Sequence, residues 1–525
     1  MDFLLHHMLR TSAVRDPDKE ALVHGAARLS YRQVAERCAG LAIGLRKAGV
    51  QRGDRVGVFL EPSVQQVLSI FGVSQAGGVF VPINQVLFPE QVAHIATDCG
   101  MTGLITTRQK LMFLLPVLKD ITTLRFVVLE AETVDAPPQL PVFIFDDLCR
   151  QEHSEVWKEA TIGKDLVAIL YTSGSTGRPK GVMLSHSQIM AGASIVSTYL
   201  GITGRDRILA VLPFSFDAGL NQLTTALQQG ATLVLTTFVF AREIVQNLLK
   251  ENITGLAGVP TLWSLLAQPA STLHKTKLPH LRYITNTGGA MPQAVLQTLR
   301  RVLPTTDIVL MYGLTEAFRS TYLPPDQLDR RPTSMGKAIP DTEILVVNDR
   351  GQPCKPGEVG ELVHRGPTVS MGYWGQPDLT AKVLRPHPFL PKELGDQERV
   401  CYSGDLVTMD EEGFLYFVGR RDTMIKSSGF RISPTEVEEA LFSSGKLVGA
   451  AVIGIPDEVL GQAIKAFVVV KSGDPVTAQD LLAHCGGKLP RHMVPKMIEV
   501  VSELPKTSSG KVDYPALRHR EGLLK

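Results

Sequence analysis

From Asp54 to Met311 the chain alternates short apolar runs with stretches of helical period, and that alternation restricts the fold more than any single residue does. Arg55-Val-Gly-Val-Phe-Leu60 reads as a strand, Val64, Val67, Leu68 and Phe71 fall on one helical face, and Val79-Phe-Val-Pro-Ile83 reads as the next strand. The pattern continues through Gly103–Thr106, a helix near 109–118, Arg125–Leu129, Leu166–Leu170, Arg207–Leu212, Thr232–Leu235, Gly255–Gly258, Arg282–Thr285 and Ile308–Met311. Strands separated by helices imply largely parallel sheets covered by helices, with ligands at the carboxyl ends of the strands. At 525 residues the chain is too long for one ordinary core and is expected to form two or more domains.

The character changes after about residue 335, where Gly351, Pro353, Pro356, Gly357, Gly360, Gly366, Pro367 and Gly372 separate short β-type runs. That reads as an antiparallel β-subdomain over about 335–421. Beyond Gly419-Arg-Arg-Asp422, a helix at about 435–444, strands at 448–455 and 463–470, a helix at about 477–488 and a strand at 497–501 suffice for a small α+β domain. The expected division is 1–421 and 422–525.

Basic and acidic residues nearly balance, 54 against 52, so the charge of +2 offers no electrostatic footprint for nucleic acid or an anionic membrane. The six cysteines (38, 99, 149, 354, 401, 485) form no Cys-x-x-Cys pair, which argues against zinc, against a disulfide framework and for a reducing compartment. Met1–Leu9 lacks the basic flank and apolar core of a signal peptide, and the most apolar stretch, Ala231–Ala241, is far short of a membrane span. A cytoplasmic protein acting on small molecules is expected, with its oligomeric state open.

One loop carries chemistry. Tyr171-Thr-Ser-Gly-Ser-Thr-Gly-Arg-Pro-Lys-Gly181 follows the apolar run Leu166–Leu170 and reads as a strand, a polyphosphate-holding loop and a helix start. Its glycines turn backbone N–H groups inward, Thr172, Ser175 and Thr176 add hydroxyl donors, and Arg178 and Lys180 add positive charge. It is not the common nucleotide P-loop, because no Ser or Thr follows Lys180 to hold magnesium. A plain Gly/Ser surface turn is the alternative, but such turns rarely carry paired cations after a buried strand.

Thr172-Ser-Gly-Ser-Thr-Gly-Arg-Pro-Lys-Gly181 resembles the signature loop of the AMP-forming adenylating enzymes, which include acyl-CoA synthetases, peptide-synthetase adenylation domains and luciferases. Further motifs of that family follow in order up to Lys511, so the resemblance spans roughly residues 10–515. It implies a large N-terminal domain of stacked α/β sheets with a β-subdomain, hinged to a small mobile domain. It further implies that Thr172, Ser173, Gly174, Ser175, Thr176, Gly177 and Lys180 bind ATP, and that Gly288, Gly289 and Ala290 line the adenine pocket. In Tyr312-Gly313-Leu314-Thr315-Glu316 the ring would stack on adenine, the Thr hydroxyl meet the α-phosphate and Glu316 hold Mg²⁺, a hard cation suited to a carboxylate. Asp405 would accept the ribose hydroxyls, with Arg420 gripping from the other side.

The same resemblance makes Asp422 the hinge and sets Ser428, Gly429 and Phe430 along the thiol's tunnel. Lys511, which follows Ser-Gly, would be the lysine of adenylation, delivering an ammonium where negative charge builds, while Lys506 would be solvated. The implied reaction joins ATP and a carboxylic acid into an acyl-adenylate and pyrophosphate, after which a thiol attacks. No phosphopantetheine site follows Lys511, so the thiol is expected from outside, as coenzyme A or a separate carrier protein.

Substrate identity should be written at Phe214-Ser-Phe216-Asp217-Ala218-Gly219. Many CoA ligases place His where Phe216 stands, whereas Phe-Asp-Ala resembles amino-acid adenylation domains, in which the Asp holds an α-amine. Asp217 either contacts an amine or caps the helix beginning at Ala218, leaving an apolar pocket for an alkyl or aryl acid. The wording of Tyr312–Ser320 also resembles bacterial acyl-CoA ligases associated with exosortase systems.

Overall fold

Two large sheets face each other across a layer of helices. The computed structural model describes residues 2–523 apart from 131–139, 152–158, 160, 174–178, 396, 422, 428–429, 472–475 and 508–509. One sheet of seven strands runs Val142–Ile144, Phe126–Leu129, Gly103–Thr106, Arg55–Phe59, Val79–Pro82, Leu166–Ser173 and Pro179–Ser185. The other has nine, from Lys337–Ala338 through Ala317–Leu323, Asp307–Leu314, Tyr283–Asn286, Gly255–Gly258, Arg207–Ala210, Thr232–Leu235 and Glu20–His24 to Ala27–Ser30. Their interior pairings are parallel and their antiparallel pairings lie toward the edges, as the strand–helix alternation predicts.

The helices Leu5–Arg15, Tyr31–Lys47, Val64–Ala76, His186–Leu200 and Asp217–Gln229 fill the space between the sheets. Phe71, Phe80, Leu223 and Leu227 belong to this shared core, which ties the two sheets into one body. Local sequence sets the ends of these helices. Ser185 and Gln188 form a reciprocal capping box before His186, and Gly201 closes the same helix in the left-handed conformation.

One prediction fails beside the phosphate loop. The structure has a strand, not a helix, after it: Pro179–Ser185 returns antiparallel to Leu166–Ser173, with Thr172 opposite Lys180. The reason is the alternation of buried Val182 and Leu184 with half-buried Met183, a period of two that packs as a strand. The helix begins only at His186, so a strand and not a helix follows the loop in the chain.

The β-subdomain is an antiparallel sheet of Glu343–Val347, Gly360–Arg365, Arg399–Met409 and Leu384–Pro386, with Leu415–Arg420 pairing on Arg399–Met409. Ile425–Ser427 already belongs to the small C-terminal sheet, with Phe430–Ile432, Leu447–Asp457, Gly461–Val470 and Met497–Val500. Asp422, the expected hinge, comes in sequence between Leu415–Arg420 of one sheet and Ile425–Ser427 of the other and lies outside the described residues. Among the described residues no helix is long and apolar enough to cross a membrane.

Candidate active site

Strand ends and turns of the large sheets converge with one loop of the small domain. The strand Asp307–Leu314 carries Tyr312 and Gly313, turns at Thr315 and Glu316, and returns as Ala317–Leu323. A two-residue turn therefore holds the side chains expected to meet the α-phosphate and the metal. Tyr373 donates its O–H to Glu316, and Ser370 N–H donates to the Glu316 carbonyl at 2.8 Å. Burial and the Glu316 charge raise the Tyr373 phenol's pKa, which keeps it a donor. The half-buried Glu316 carboxylate, oriented by that donor, suits a hard divalent cation that takes its remaining ligands from phosphates and water.

Asp405 is held from both sides. Arg420 donates to one carboxylate oxygen at 2.8 Å and the Tyr312 O–H donates to the other. The two predicted ribose-binding residues are thus adjacent, their strands paired with Asp405 opposite Arg420. Tyr312 reaches the same place from the other sheet.

Lys511 arrives from the small domain. Its ammonium stands 5.0 Å from the centroid of the Phe216 ring, and the adjoining Gly510 carbonyl accepts from Thr261 Oγ1 at 3.1 Å. Gly288 abuts its arm closely: a Cβ there would come within 2.7 Å of Lys511 Cε. Burial lowers the pKa of Lys511 below the ordinary lysine value, while Asp217, then Asp405 and Glu316, act in the opposite direction. Lys506 is exposed, as expected.

Asp217 does not take the cap position, one of the two roles open to it from sequence. The helix starts at Asp217 itself with Phe216 in the N-cap position, so Asp217 is a first-turn residue. Its Oδ1 accepts from Ala218 N–H at 2.6 Å and its Oδ2 from Thr315 Oγ1 at 3.3 Å. The carboxylate is buried, and its charge acts on the Lys511 ammonium. It lines a small cavity of about 20 Å³ together with Leu220, Asn221, Thr224, Phe318 and Thr368.

Other predicted residues are placed with less contact. Gly288 adopts the left-handed conformation at φ +81°, and Gly289 is fixed by Asn286 Nδ2 donating to its carbonyl at 2.9 Å, with Ala290 exposed beyond. Thr172 and Lys180 face each other across the hairpin, whereas Gly174, Ser175, Thr176, Gly177 and Arg178 lie outside the described residues, as do Ser428 and Gly429. Phe430 is exposed and stacks on His492 at 4.1 Å in the small domain, so the structure does not bring it to the Lys511 site. Sequence reasoning missed Tyr373, Thr261 and Arg319. Tyr373 follows Gly372 in a stretch read only as turns, and nothing local distinguishes the other two.

The family of AMP-binding enzymes matches residues 9–374, and that of the AMP-binding enzyme C-terminal domain matches residues 436–511. A feruloyl-CoA synthase of Amycolatopsis sp is 34% identical over 518 residues, covering 96% of each chain. A long-chain-fatty-acid–CoA ligase of Yersinia pestis is 30% identical, covering 98% of this chain and 94% of its own. The crystal structure of an anthranilate CoA ligase in complex with anthranoyl-AMP superposes with a TM-score of 0.89 at 27% identity, over 100% of this chain and 98% of that one. The ordered motifs, the layered fold and these relatives agree: the chain belongs to the AMP-binding enzyme family and is an AMP-forming acid–thiol ligase of the acyl-CoA synthetase type.

Proposed function

We propose that Lys511, Thr315 and Glu316 carry the first half-reaction and that coenzyme A is the acceptor in the second. The observation that carries this reading is the delivery of Lys511 onto Phe216 and Gly288, beside the Thr315–Glu316 turn. In adenylation an oxygen of the substrate carboxylate attacks the α-phosphorus of ATP, the bond to the β-phosphate oxygen breaks, and pyrophosphate leaves. Charge then builds on the α-phosphoryl oxygens, where a preorganised ammonium is most effective. Thr315 supplies a hydroxyl on the same side. Glu316 would hold Mg²⁺, which neutralises phosphate charge when bound. Tyr312 offers a flat face to adenine, and Asp405 with Arg420 grips the ribose.

The second half-reaction is attack of the CoA sulfur on the acyl carbonyl with release of AMP. Rotation about Asp422 would exchange Lys511 for the hairpin bearing Phe430, a change that two half-reactions at one site require. The CoA-ligase relatives support CoA over a carrier protein. The Asp217 geometry supports a carboxylic acid without an α-amine, because both carboxylate oxygens already accept hydrogen bonds within the protein. A cytoplasmic enzyme drawing on free ATP and CoA accords with this chemistry.

Lys511→Ala tests the assignment. Pyrophosphate exchange should fall by about 10²–10³-fold, with ATP affinity little changed. Thioester formation from a synthetic acyl-adenylate should persist. Equal loss in both assays would remove Lys511 from the first half-reaction.

A further inference from the structure

Arg319 is a buried guanidinium without a counter-ion among the described residues. It lies three residues after Glu316 on the returning strand, is only 4% exposed, and has φ +57°. An L-residue with a side chain rarely takes that conformation without a reason. Gly313 makes it possible: a Cβ at 313 would stand 2.7 Å from both N and Cα of Arg319, and the strand pairing shifts register there, between Tyr312 and Leu314. The hairpin is therefore kinked, and the kink keeps the Arg319 head inside.

Inside, the head is only partly satisfied. Nη1 donates to Thr287 Oγ1 at 2.6 Å, Cζ lies 5.0 Å from the centroid of the Phe318 ring, and the buried Nε has no partner. Among the described residues no carboxylate pairs with it. Arg331, the other strongly buried arginine among the described residues, shows the contrast, for it is paired with Asp410 and Glu412. A guanidinium cannot shed its proton to relieve burial, so an unpaired one is costly unless a ligand anion completes it.

The surroundings say which ligand. Phe318, under the guanidinium, lines the cavity with Asp217, Asn221 and Thr224, and Thr287 adjoins Gly288, which abuts Lys511. Through Phe318, Arg319 adjoins the cavity that Asp217 lines, while Thr172 and Lys180, which the sequence assigns to the phosphates, face each other across a separate hairpin. Resting on the ligase reading above, we propose that Arg319 binds a second carboxylate on the acid substrate, so that the enzyme activates dicarboxylic acids at the carboxylate facing Lys511. Phe318 supplies an aromatic face on one side of the planar ion pair, and the fork of Nε and an Nη offers the bidentate geometry that carboxylates favour.

The test is pyrophosphate exchange with succinate, adipate, phthalate and terephthalate, each beside its monomethyl ester, on wild type, Arg319→Gln and Arg319→Lys. For at least one pair the wild type should favour the diacid by about 10²-fold or more in kcat/KM. Arg319→Gln should erase that preference through the KM of the diacid, leave the KM of ATP unchanged, and be partly rescued by Arg319→Lys. Equal use of every pair by wild type would overturn the proposal. So would a raised KM for ATP in Arg319→Gln, which would make phosphate the ligand, or an equal slowing of acids and esters, which would make the reacting carboxylate the ligand. If thermal melting shows that Arg319→Gln does not fold, the wild-type comparison of acid with ester decides alone. Calorimetry of the same diacids with Lys511→Ala reads the subsite without turnover. A diacid that binds there but supports no exchange in wild type defeats the ligase reading and keeps the subsite, whereas binding of none of them defeats the inference.

Discussion

Gly288→Ala should separate the two half-reactions without touching a polar group. The residue has φ +81°, and an added Cβ would lie 2.7 Å from Lys511 Cε and 3.4 Å from both Lys511 Nζ and Val259 Cγ1. Carbon atoms pack at about 3.5–4.0 Å, so the lysine arm must retreat by about 1 Å. A misplacement of that size costs on the order of 10²-fold, or about 2.7 kcal/mol of barrier. The left-handed backbone adds about 1–2 kcal/mol of strain for alanine, which appears as lost stability and not as a difference between steps. Pyrophosphate exchange should therefore fall by about 10²-fold, while thioester formation from a supplied acyl-adenylate stays near wild type. In a Lys511→Ala background the same substitution should cost exchange little more, because the arm it displaces is gone. Unchanged exchange in the single variant, or fully additive loss in the double one, would refute the reasoning.

Two pH experiments follow from burial. Lys511 is already lowered by desolvation and is supported first by Asp217, so Asp217→Asn should lower it further and move the alkaline limb of pyrophosphate exchange to lower pH; an unmoved limb would uncouple the two residues. Burial raises Glu438 from 4.5 to about 7, although it accepts from Tyr514 O–H at 2.7 Å and Val452 N–H at 2.8 Å. Between those values the folded chain holds a proton that the unfolded chain has released, so stability falls as pH rises through that window. Hydrogen exchange across the helix Pro434–Phe442 should speed up from pH 5 to pH 8 in wild type by more than in Glu438→Gln, and parallel profiles would contradict this.

The parts legible in sequence are those whose signal is local. Strand runs such as Val79–Pro82 and the helical face of Val64, Val67, Leu68 and Phe71 need only nearest neighbours to be recognised, and they appear where expected. The strand Pro179–Ser185 was hidden because its glycine and proline resemble the end of a loop, and its evidence is a pairing partner across the hairpin. Asp217 was ambiguous for a similar reason. Its own neighbours suggest a cap, but its second oxygen meets Thr315, 98 residues away in the chain. Arg319 could not be found at all from local pattern, because its meaning lies in the carboxylate that is not beside it and in the missing side chain of Gly313.

The electrostatics of Lys511 also bear on when the small domain docks. Its interface with the large domain at this point includes one hydrogen bond, Thr261 to Gly510, and the insertion of an ammonium that burial disfavours. Asp217, Asp405 and Glu316 offset that penalty, and the triphosphate of ATP adds negative charge in the same space. Departure of pyrophosphate removes most of that added charge, while desolvation of the lysine remains. On the proposed roles of Lys511 and the small domain, the docked orientation should be favoured before adenylation and disfavoured after it, which would order the two half-reactions without any separate switch. Hydrogen exchange at the Gly510 segment reads the docked population directly. Protection there should be greatest with a non-hydrolysable ATP analogue and should fall with AMP or a non-reactive acyl-adenylate analogue. In Lys511→Ala the difference between these ligands should shrink, because the charge that responds to them is gone; a difference of full size in that variant would show that docking is governed by something other than the lysine.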